Sequence, residues 1–418
     1  MAQTAIEKIL SHKVARPVQA GDIIYPEPDL ATLHDHYLVS AAKTLRELEV
    51  SRLYRPDKIL FCTDHEPLAT SKLAAERQKQ NLELCRQLEI GHVFGPGRGG
   101  HGHLFPMERG LVSPGDLILG YDLHTPNFGA IGAAGFYLGP EITEVMACGS
   151  VWLKVPETLL VRLFGALSKG TTVRDVAQRL IADIDPDLMD YAMVEFDGPA
   201  LSAFDLDARV TLCNAPLEST AKSAFVAPDE AILEWAKGRA TRSFRPVYGD
   251  RNAGYRAILE FDISTIDPQV AVPPRVTSVV GVSVVSGRPI QHASIGSCAN
   301  GGIADLRAAA SILRGRRVAP DVRLIVTPGT QEVAAMAARE GLLEVFTEAG
   351  AIMSPPGCGV CAAGFIAPLA SGETSINTGT VNEPGRLGAK DADIYLASPL
   401  TVAASAVRGC ITDPREYT

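Results

Sequence analysis

No stretch of this 418-residue chain is apolar over anything near the ~20 residues needed to span a bilayer, so no transmembrane helix is expected. The first residues, Met1-Ala-Gln-Thr-Ala-Ile-Glu-Lys8, carry neither a basic n-region nor a long apolar segment, so no export signal is expected. The eight cysteines lack a compact disulfide spacing, and without an export signal the expected location is a reducing cytoplasm. Cations are outnumbered, 39 Lys and Arg against 48 Asp and Glu, for a formal net charge of −9. A nucleic-acid groove needs clustered Lys and Arg, so no nucleic-acid partner is expected. An anionic small molecule remains compatible, because its site needs only local positive charge. There is no internal repeat and no low-complexity segment. Gly and Pro punctuate the chain as turns, in the manner of many short βα connections, and the length calls for more than one core.

What is present is concentrated in two turns. Gly296-Ser297-Cys298-Ala299-Asn300-Gly301-Gly302 carries one cysteine, and Gly357-Cys358-Gly359-Val360-Cys361 carries two more in a C-x-x-C. Three cysteines on loops are a poor disulfide set, since one is left over. They make an incomplete thiolate set for a metal cluster, and an iron without a protein ligand can take substrate. A C-x-x-C also serves as a redox dithiol, but that motif opens a helix early in a small thioredoxin-like unit, and here it lies deep in a long chain. The run from Arg275 to Val285 reads as strand ahead of the first turn. Ile303 to Leu313 has apolar residues at helical spacing, which puts Cys298 near a helix N-terminus, where the dipole favours a thiolate or an anionic cluster.

Ile295-Gly-Ser-Cys-Ala-Asn-Gly-Gly-Ile-Ala-Asp-Leu-Arg-Ala-Ala-Ala310 resembles the first cluster loop of the aconitase superfamily, in particular the 3-isopropylmalate dehydratase large subunits. Pro356-Gly-Cys-Gly-Val-Cys361 resembles the second cluster loop, and Val326-Thr-Pro-Gly-Thr330 and Glu348-Ala-Gly350 fall where the family has them. The likeness runs over nearly the whole chain. It implies an α/β protein with three aconitase-type α/β domains around a central iron–sulfur cluster cleft, here residues 1–195, 196–272 and 273–418. It also implies a [4Fe–4S] cluster on Cys298, Cys358 and Cys361.

Other motifs gain roles through the same resemblance. The apolar run Lys58-Ile-Leu-Phe-Cys-Thr63 reads as a buried strand delivering Asp64-His65. A carboxylate beside an imidazole raises its pKa and holds it as an acid, and in the family this His protonates the departing hydroxyl. His34-Asp35 resembles a polar pair facing the active site. Gly95-Pro-Gly-Arg-Gly-Gly-His-Gly-His103 lacks the Lys-Ser/Thr of a phosphate loop; the family has one active-site His followed by Gln here, so His101 and His103 are both candidates and the Gln is missing. Leu117 to Tyr121 reads as a strand ending in Asp122-Leu123-His124. The family motif is Asp-Ser-His-Thr, so Leu123 replaces a hydroxyl, and Asp122 is expected to pair with the His of the preceding loop. Asn214 and Glu218, four apart, share a face if this stretch is helical; the family places the Asn at the cluster and the Glu beside a His, here His124. Thr172 caps a helix with an apolar stripe. In Ser375 to Arg386 the family has Asn-Arg-Asn-Phe-x-Gly-Arg, with both Arg residues on substrate carboxylates. Arg386 matches the second, but Thr380-Val381 replaces the Asn-Arg. A bidentate Arg–carboxylate contact orients strongly, so one substrate arm is held differently or is not a carboxylate.

The resemblance implies a hydro-lyase acting on a 2-hydroxy di- or tricarboxylic acid. The superfamily's catalytic base is a serine on a swivelling fourth domain, a separate small subunit in the isopropylmalate branch. The chain stops after the third region, so a small-subunit partner is expected, in a heterodimer or heterotetramer. Isopropylmalate, homocitrate or homoaconitate, citrate-type acids and methyl- or dimethylmalates all remain open as substrates. So do a non-catalytic cluster protein and a cluster protein that has lost its substrate site.

Overall fold

The computed structural model describes residues 2–418. Contacts divide the chain into two compact units. Unit 1 comprises Met1–Leu163 and Pro186–Phe261, and unit 2 comprises Phe164–Asp185 and Asp262–Thr418. The partition into 1–195, 196–272 and 273–418, whose boundaries cut across these units, is a proposal. Among the described residues, no helix is long and apolar enough to cross a membrane.

Unit 1 is built on a five-stranded sheet with neighbours in the order His92–Phe94, Ile59–Cys62, Leu30–His34, Leu117–Gly120 and Ala134–Tyr137. All four pairings are parallel, with Leu33 opposite Phe61 and Ala31 opposite Leu119. The central strands are buried along their length, as expected of a parallel sheet covered on both faces. That explains why Ile59-Leu60-Phe61-Cys62 is a continuous apolar run rather than an alternating one. The helix Leu38–Glu47 buries Leu38, Ala41, Ala42 and Leu45, of which Leu38, Ala41 and Leu45 share a core with the sheet, the one-sided spacing of an amphipathic helix. A second sheet carries Ser223–Val226, Met193–Asp197, Thr158–Phe164 and Ala257–Asp262 in that order.

Unit 2 has a seven-stranded sheet in the order Val279–Gly281, Gln269–Ala271, Asp393–Ala397, Thr374–Asn377, His292–Ile295, Arg323–Val326 and Ile352–Met353. The last five are mutually parallel, and the first two are antiparallel additions at one edge. The structure corrects one sequence expectation here. Of the run Arg275–Val285, only Val279–Gly281 is strand, and Val282–Val284 turns as a 3-10 helix. The strand that delivers Cys298 is His292–Ile295.

Numbered from its first strand, each parallel sheet has the order 3-2-1-4-5. In both, the chain leaves the first strand toward one side and later returns to the other. That reversal opens a crevice at the carboxyl end of the first strand, where open α/β sheets place their ligands. His34 ends the first strand of unit 1, and Gly296-Ser297-Cys298 follows the first strand of unit 2.

Candidate active site and cluster-ligand turns

Three adjacent strands of unit 1 deliver their acidic and imidazole groups to one place. His34 ends the first strand and Asp35 follows it, Asp64 and His65 follow the second, and Asp122 the fourth. His65 Nδ1 is 2.8 Å from Asp64 Oδ1, and its Nε2 is 3.5 Å from Asp122 Oδ2. Burial by itself pushes His65 down. Asp64, with Asp122 and Asp35 (3.8 Å away), outweighs it and lifts the imidazole to about 10. The same pairing holds the Asp64 carboxyl below its ordinary range, against burial. His34 stacks on His65 with ring centroids 4.0 Å apart. Burial and the neighbouring His65 push its pKa down to about 3, so a neutral ring lies against a protonated one. Asp35 is pushed up by burial and by Asp64, while its two oxygens accept from the backbone amides of His65 and Glu66.

The Gly-rich loop contributes both of its histidines. His103 Nε2 is 3.2 Å from Asp122 Oδ1, and His101 Nδ1 is 3.9 Å from Asp64 Oδ2. Burial lowers His101 to about 3. Asp122 is driven well below the carboxylate range because His103, His65 and His34 together overcome its desolvation. Between the two histidines, Gly102 donates its amide to Asp64 Oδ2 at 2.8 Å. A Cβ there would lie 2.6 Å from Cys62 Sγ, so only glycine lets the loop approach the strand this closely.

His124 and Asn214 lie in the same unit. His124 Nε2 is 2.6 Å from Glu218 Oε1, and the His124 amide donates to Asp122 Oδ1. Asn214 donates to Asn127 Oδ1 at 3.1 Å. The shared-face expectation is corrected in its geometry: the α-helix Leu206–Asn214 ends at Asn214, and Glu218 closes a 3-10 turn containing Pro216. Leu123 is 37% exposed, an apolar side chain open to solvent.

Sequence reasoning missed a second layer. His36 Nε2 is 3.1 Å from Glu66 Oε2, and Arg77 bonds the same carboxylate. Tyr121 lies edge-on to His34 at 5.0 Å and stacks on Tyr37 at 3.9 Å. The available signal was position: His36 follows His34-Asp35, Glu66 follows Asp64-His65, and Tyr121 precedes Asp122. Ligand atoms of His34, Asp35, Asp64 and His65 lie within 4.8 Å of one another. The Asp35 and Asp64 oxygens are already taken by amides and by His65, so this group is arranged to hold a proton on His65.

In unit 2 the cysteine turns meet a common piece of backbone, Thr327-Pro328-Gly329. Gly296, at φ +108°, packs onto the Thr327 carbonyl so closely that no Cβ could be accommodated. Gly329 donates to the Gly301 carbonyl at 2.7 Å, and Gly357 donates to the Pro328 carbonyl at 3.3 Å. A Cβ on Gly359, at φ +66°, would lie 2.7 Å from Thr327 Oγ1. From the neighbouring strand, Thr378 Oγ1 accepts from the Gly296 amide, and the Thr378 carbonyl accepts from Ser297 Oγ. Thr380 Oγ1 is 3.8 Å from Cys361 Sγ, and a Cβ on Gly379 would lie 3.5 Å from the same sulfur. The buried Arg174 holds the Gly379 carbonyl at 2.5 Å. Val381 packs against Cys358, Cys361 and Ala362. The helix after Cys298 begins at Ile303, where Asp305 accepts from the Gly302 amide and from Asn300 Nδ2. Cys298, Cys358 and Cys361 are all buried, and Thr327 Oγ1 is buried without a hydrogen-bond partner. Three buried cysteines on turns tied to one piece of backbone are a soft donor set, which suits an iron–sulfur cluster. Arg386 is exposed on the loop beyond Val381.

Two parallel sheets, each with polar groups at its first strand's carboxyl end, define an α/β protein of the kind that binds ligands where its strand order reverses. The chain belongs to the aconitase family (aconitate hydratase), whose match spans residues 7–409. Among curated relatives, the 3-isopropylmalate dehydratase large subunit 1 of Methanopyrus kandleri is 41% identical over 418 residues, covering all of both chains. The homoaconitase large subunit of Thermus thermophilus is 40% identical over 420 residues, covering 100% of this chain and 98% of that protein. Aconitase X of Thermococcus kodakaraensis aligns with a TM-score of 0.51 at 13% identity, over 90% of this chain and 89% of that one, and so shares the fold.

Proposed function

We propose that this chain is the large, cluster-bearing subunit of a [4Fe–4S]-dependent hydro-lyase acting on a 2-hydroxy di- or tricarboxylic acid. The observation that carries the reading is the convergence of the Cys298 and Cys358–Cys361 turns on Thr327–Gly329, through approaches that only glycine permits. Cys298, Cys358 and Cys361 are the residues that would hold the cluster. When bound, the cluster supplies a Lewis-acidic iron that polarises the substrate hydroxyl.

His65 is the general acid in this reading. Its Nδ1 is committed to Asp64, so Nε2 carries the transferable proton and delivers it to the departing hydroxyl. Asp64 and Asp122 keep the ring protonated at neutral pH. The neutral His34 accepts from substrate without adding a competing charge. His103 lies beside Asp122 and the neutral His101 beside Asp64, and the Glu218–His124 pair, with Asn214, completes the set. Arg386 binds a substrate carboxylate. The base that takes the carbon-bound proton belongs to a small-subunit partner, consistent with relatives named as large subunits. A reducing cytoplasm, which keeps the three thiols available as ligands, is part of the same proposal. Homoaconitase-type chemistry is the second reading, favoured by the Thermus thermophilus relative.

The test is anaerobic reconstitution with iron and sulfide in the presence of the small subunit, following the absorbance of the unsaturated acid formed from isopropylmalate, methyl- and dimethylmalates and homocitrate. Turnover that disappears in Cys358→Ser supports the proposal. A cluster without turnover on any of these acids refutes it.

A further inference from the structure

Arg77 lies on the helix Lys72–Gln87 and meets the imidazole–carboxylate group of unit 1 at its outer side. Its Nη1 is 3.2 Å from His36 Nε2 and also bonds the Glu66 carboxylate. Glu66 is buried; its amide donates to Asp35 Oδ2, and its carbonyl accepts from Gln78 Nε2. One nitrogen therefore tethers the guanidinium to the segment that presents His65. The other two, Nε and Nη2, bond to nothing among the described residues, and both are open to solvent.

Nε and Nη2 are the edge of a guanidinium that matches a carboxylate with two parallel bonds. Elsewhere in this chain that edge holds protein carboxylates: Arg55 grips Asp57 at 2.8 and 2.7 Å, and Arg307 grips Glu340 at 2.8 and 2.6 Å. An arginine serving only to neutralise Glu66 gains most by turning the same edge on it. Arg77 instead gives Glu66 the single nitrogen it shares with His36. Its position suits a ligand. Side-chain exposure rises from 1% at Asp64 through 16% at His65 and 23% at His36 to 30% at Arg77, so Arg77 stands at the rim where the group opens to solvent. The His36 ring centroid is 5.4 Å from that of His65, which places the guanidinium one imidazole beyond the proton-bearing ring, on the scale of a small diacid. Val381 leaves the chain without the second carboxylate-binding arginine that the family resemblance expects.

Resting on the hydro-lyase reading, we propose that Arg77 is a substrate-binding residue that grips a carboxylate arm of the hydroxy acid, Nε–H and Nη2–H each donating to one carboxylate oxygen while Glu66 and His36 hold Nη1. The tether fixes the plane of the fork before substrate arrives, so little side-chain freedom is lost on binding. A planar fork of this kind selects a carboxylate, which an ammonium at the same place would meet only as a point charge.

The experiment uses the cluster-loaded complex with its small subunit. Malate and 2-hydroxybutyrate, which share the hydroxy-acid end and differ by one carboxylate, are titrated calorimetrically under anaerobic conditions into the wild type, Arg77→Gln and Arg77→Lys. Thermal unfolding of each is recorded without ligand. The expected result is a wild-type preference for malate that falls by about 10- to 100-fold in Arg77→Gln, with the affinity for 2-hydroxybutyrate unchanged. Arg77→Lys keeps a cation for Glu66 and should melt close to wild type, yet lose about tenfold of the preference because it lacks the fork. Should Arg77→Gln fail to fold, Arg77→Lys alone decides. A wild type without the preference, or a preference that survives in the variants, overturns the proposal. Equal weakening of both acids overturns it too and reduces Arg77 to a support for Glu66. The two readings fail separately: a preference that depends on Arg77 without turnover of any acid refutes the hydro-lyase alone, and turnover with a preference indifferent to Arg77 refutes this proposal alone.

Discussion

The proton held on His65 gives the sharpest test, through Asp64→Asn. An imidazole at about 10 instead of its ordinary ~6.5 represents roughly 5 kcal/mol of preference for the charged form. The folded value lies above the unfolded one, so this preference stabilises the fold fully below about pH 6.5 and is lost as pH rises toward 10. Asp64 contributes both the 2.8 Å hydrogen bond and the nearest negative charge. Asparagine keeps the shape and one acceptor but removes the charge. Asp122 and Asp35 remain, at 3.5 and 3.8 Å, so the midpoint is expected to fall by roughly two pH units rather than to the level set by burial alone. With a midpoint near 8 instead of 10, the protonated fraction at pH 9 drops from about 90% to about 10%. Histidine-selective 15N labelling and a pH titration by NMR measure the midpoint directly. The matching kinetic signature is a basic limb of the rate profile displaced to lower pH, with activity largely retained near pH 6. A midpoint still near 10 in Asp64→Asn, or a loss of activity uniform from pH 6 to 10, refutes the assignment of Asp64 as the source of the elevation.

Gly296→Ala should cost more than about 3 kcal/mol in urea denaturation and abolish iron retention, because its Cβ has no room against Thr327. Gly315→Ala, also at positive φ but with nothing near the new Cβ, should cost only about 1 kcal/mol. A double-mutant cycle on His124→Ala and Glu218→Ala should show a coupling of roughly 1–3 kcal/mol for this largely buried 2.6 Å pair; a coupling near zero would make the contact incidental. Arg209→Met should destabilise by about 1–3 kcal/mol, since the fully buried guanidinium bonds Asp229 and the Leu201 and Phe204 carbonyls while the Asp229 left behind is partly exposed, and chemical denaturation reads this directly.

Much of the candidate site was visible as sequence because parallel strands buried on both faces are short apolar runs, and the polar residues at their carboxyl ends stand out against them. Asp64-His65 after Ile59–Cys62 and Asp122 after Leu117–Gly120 are cases in point. The run Arg275–Val285 misled for the complementary reason. Its valines have strand propensity, but it sits at a half-buried sheet edge and turns after Gly281. The strand that carries Cys298 is only four residues long and includes His292 and Ser294, which are buried by pairing with neighbours on both sides. Propensity is a local quantity, and those neighbours lie far away in the chain.

The sequence by itself determined the chemistry available: which side chains can carry a proton, which thiols are on offer as ligands, and which turns need glycine. The tertiary structure decided the partnerships. His103 faces Asp122 and His101 faces Asp64, although the two histidines are separated by a single glycine. His65 is protonated and His34 neutral, although both are buried imidazoles beside aspartates. Those differences come from distances of 3–4 Å between groups on different strands. Electrostatic and hydrogen-bond energies change steeply over such distances, and no spacing along the chain encodes them.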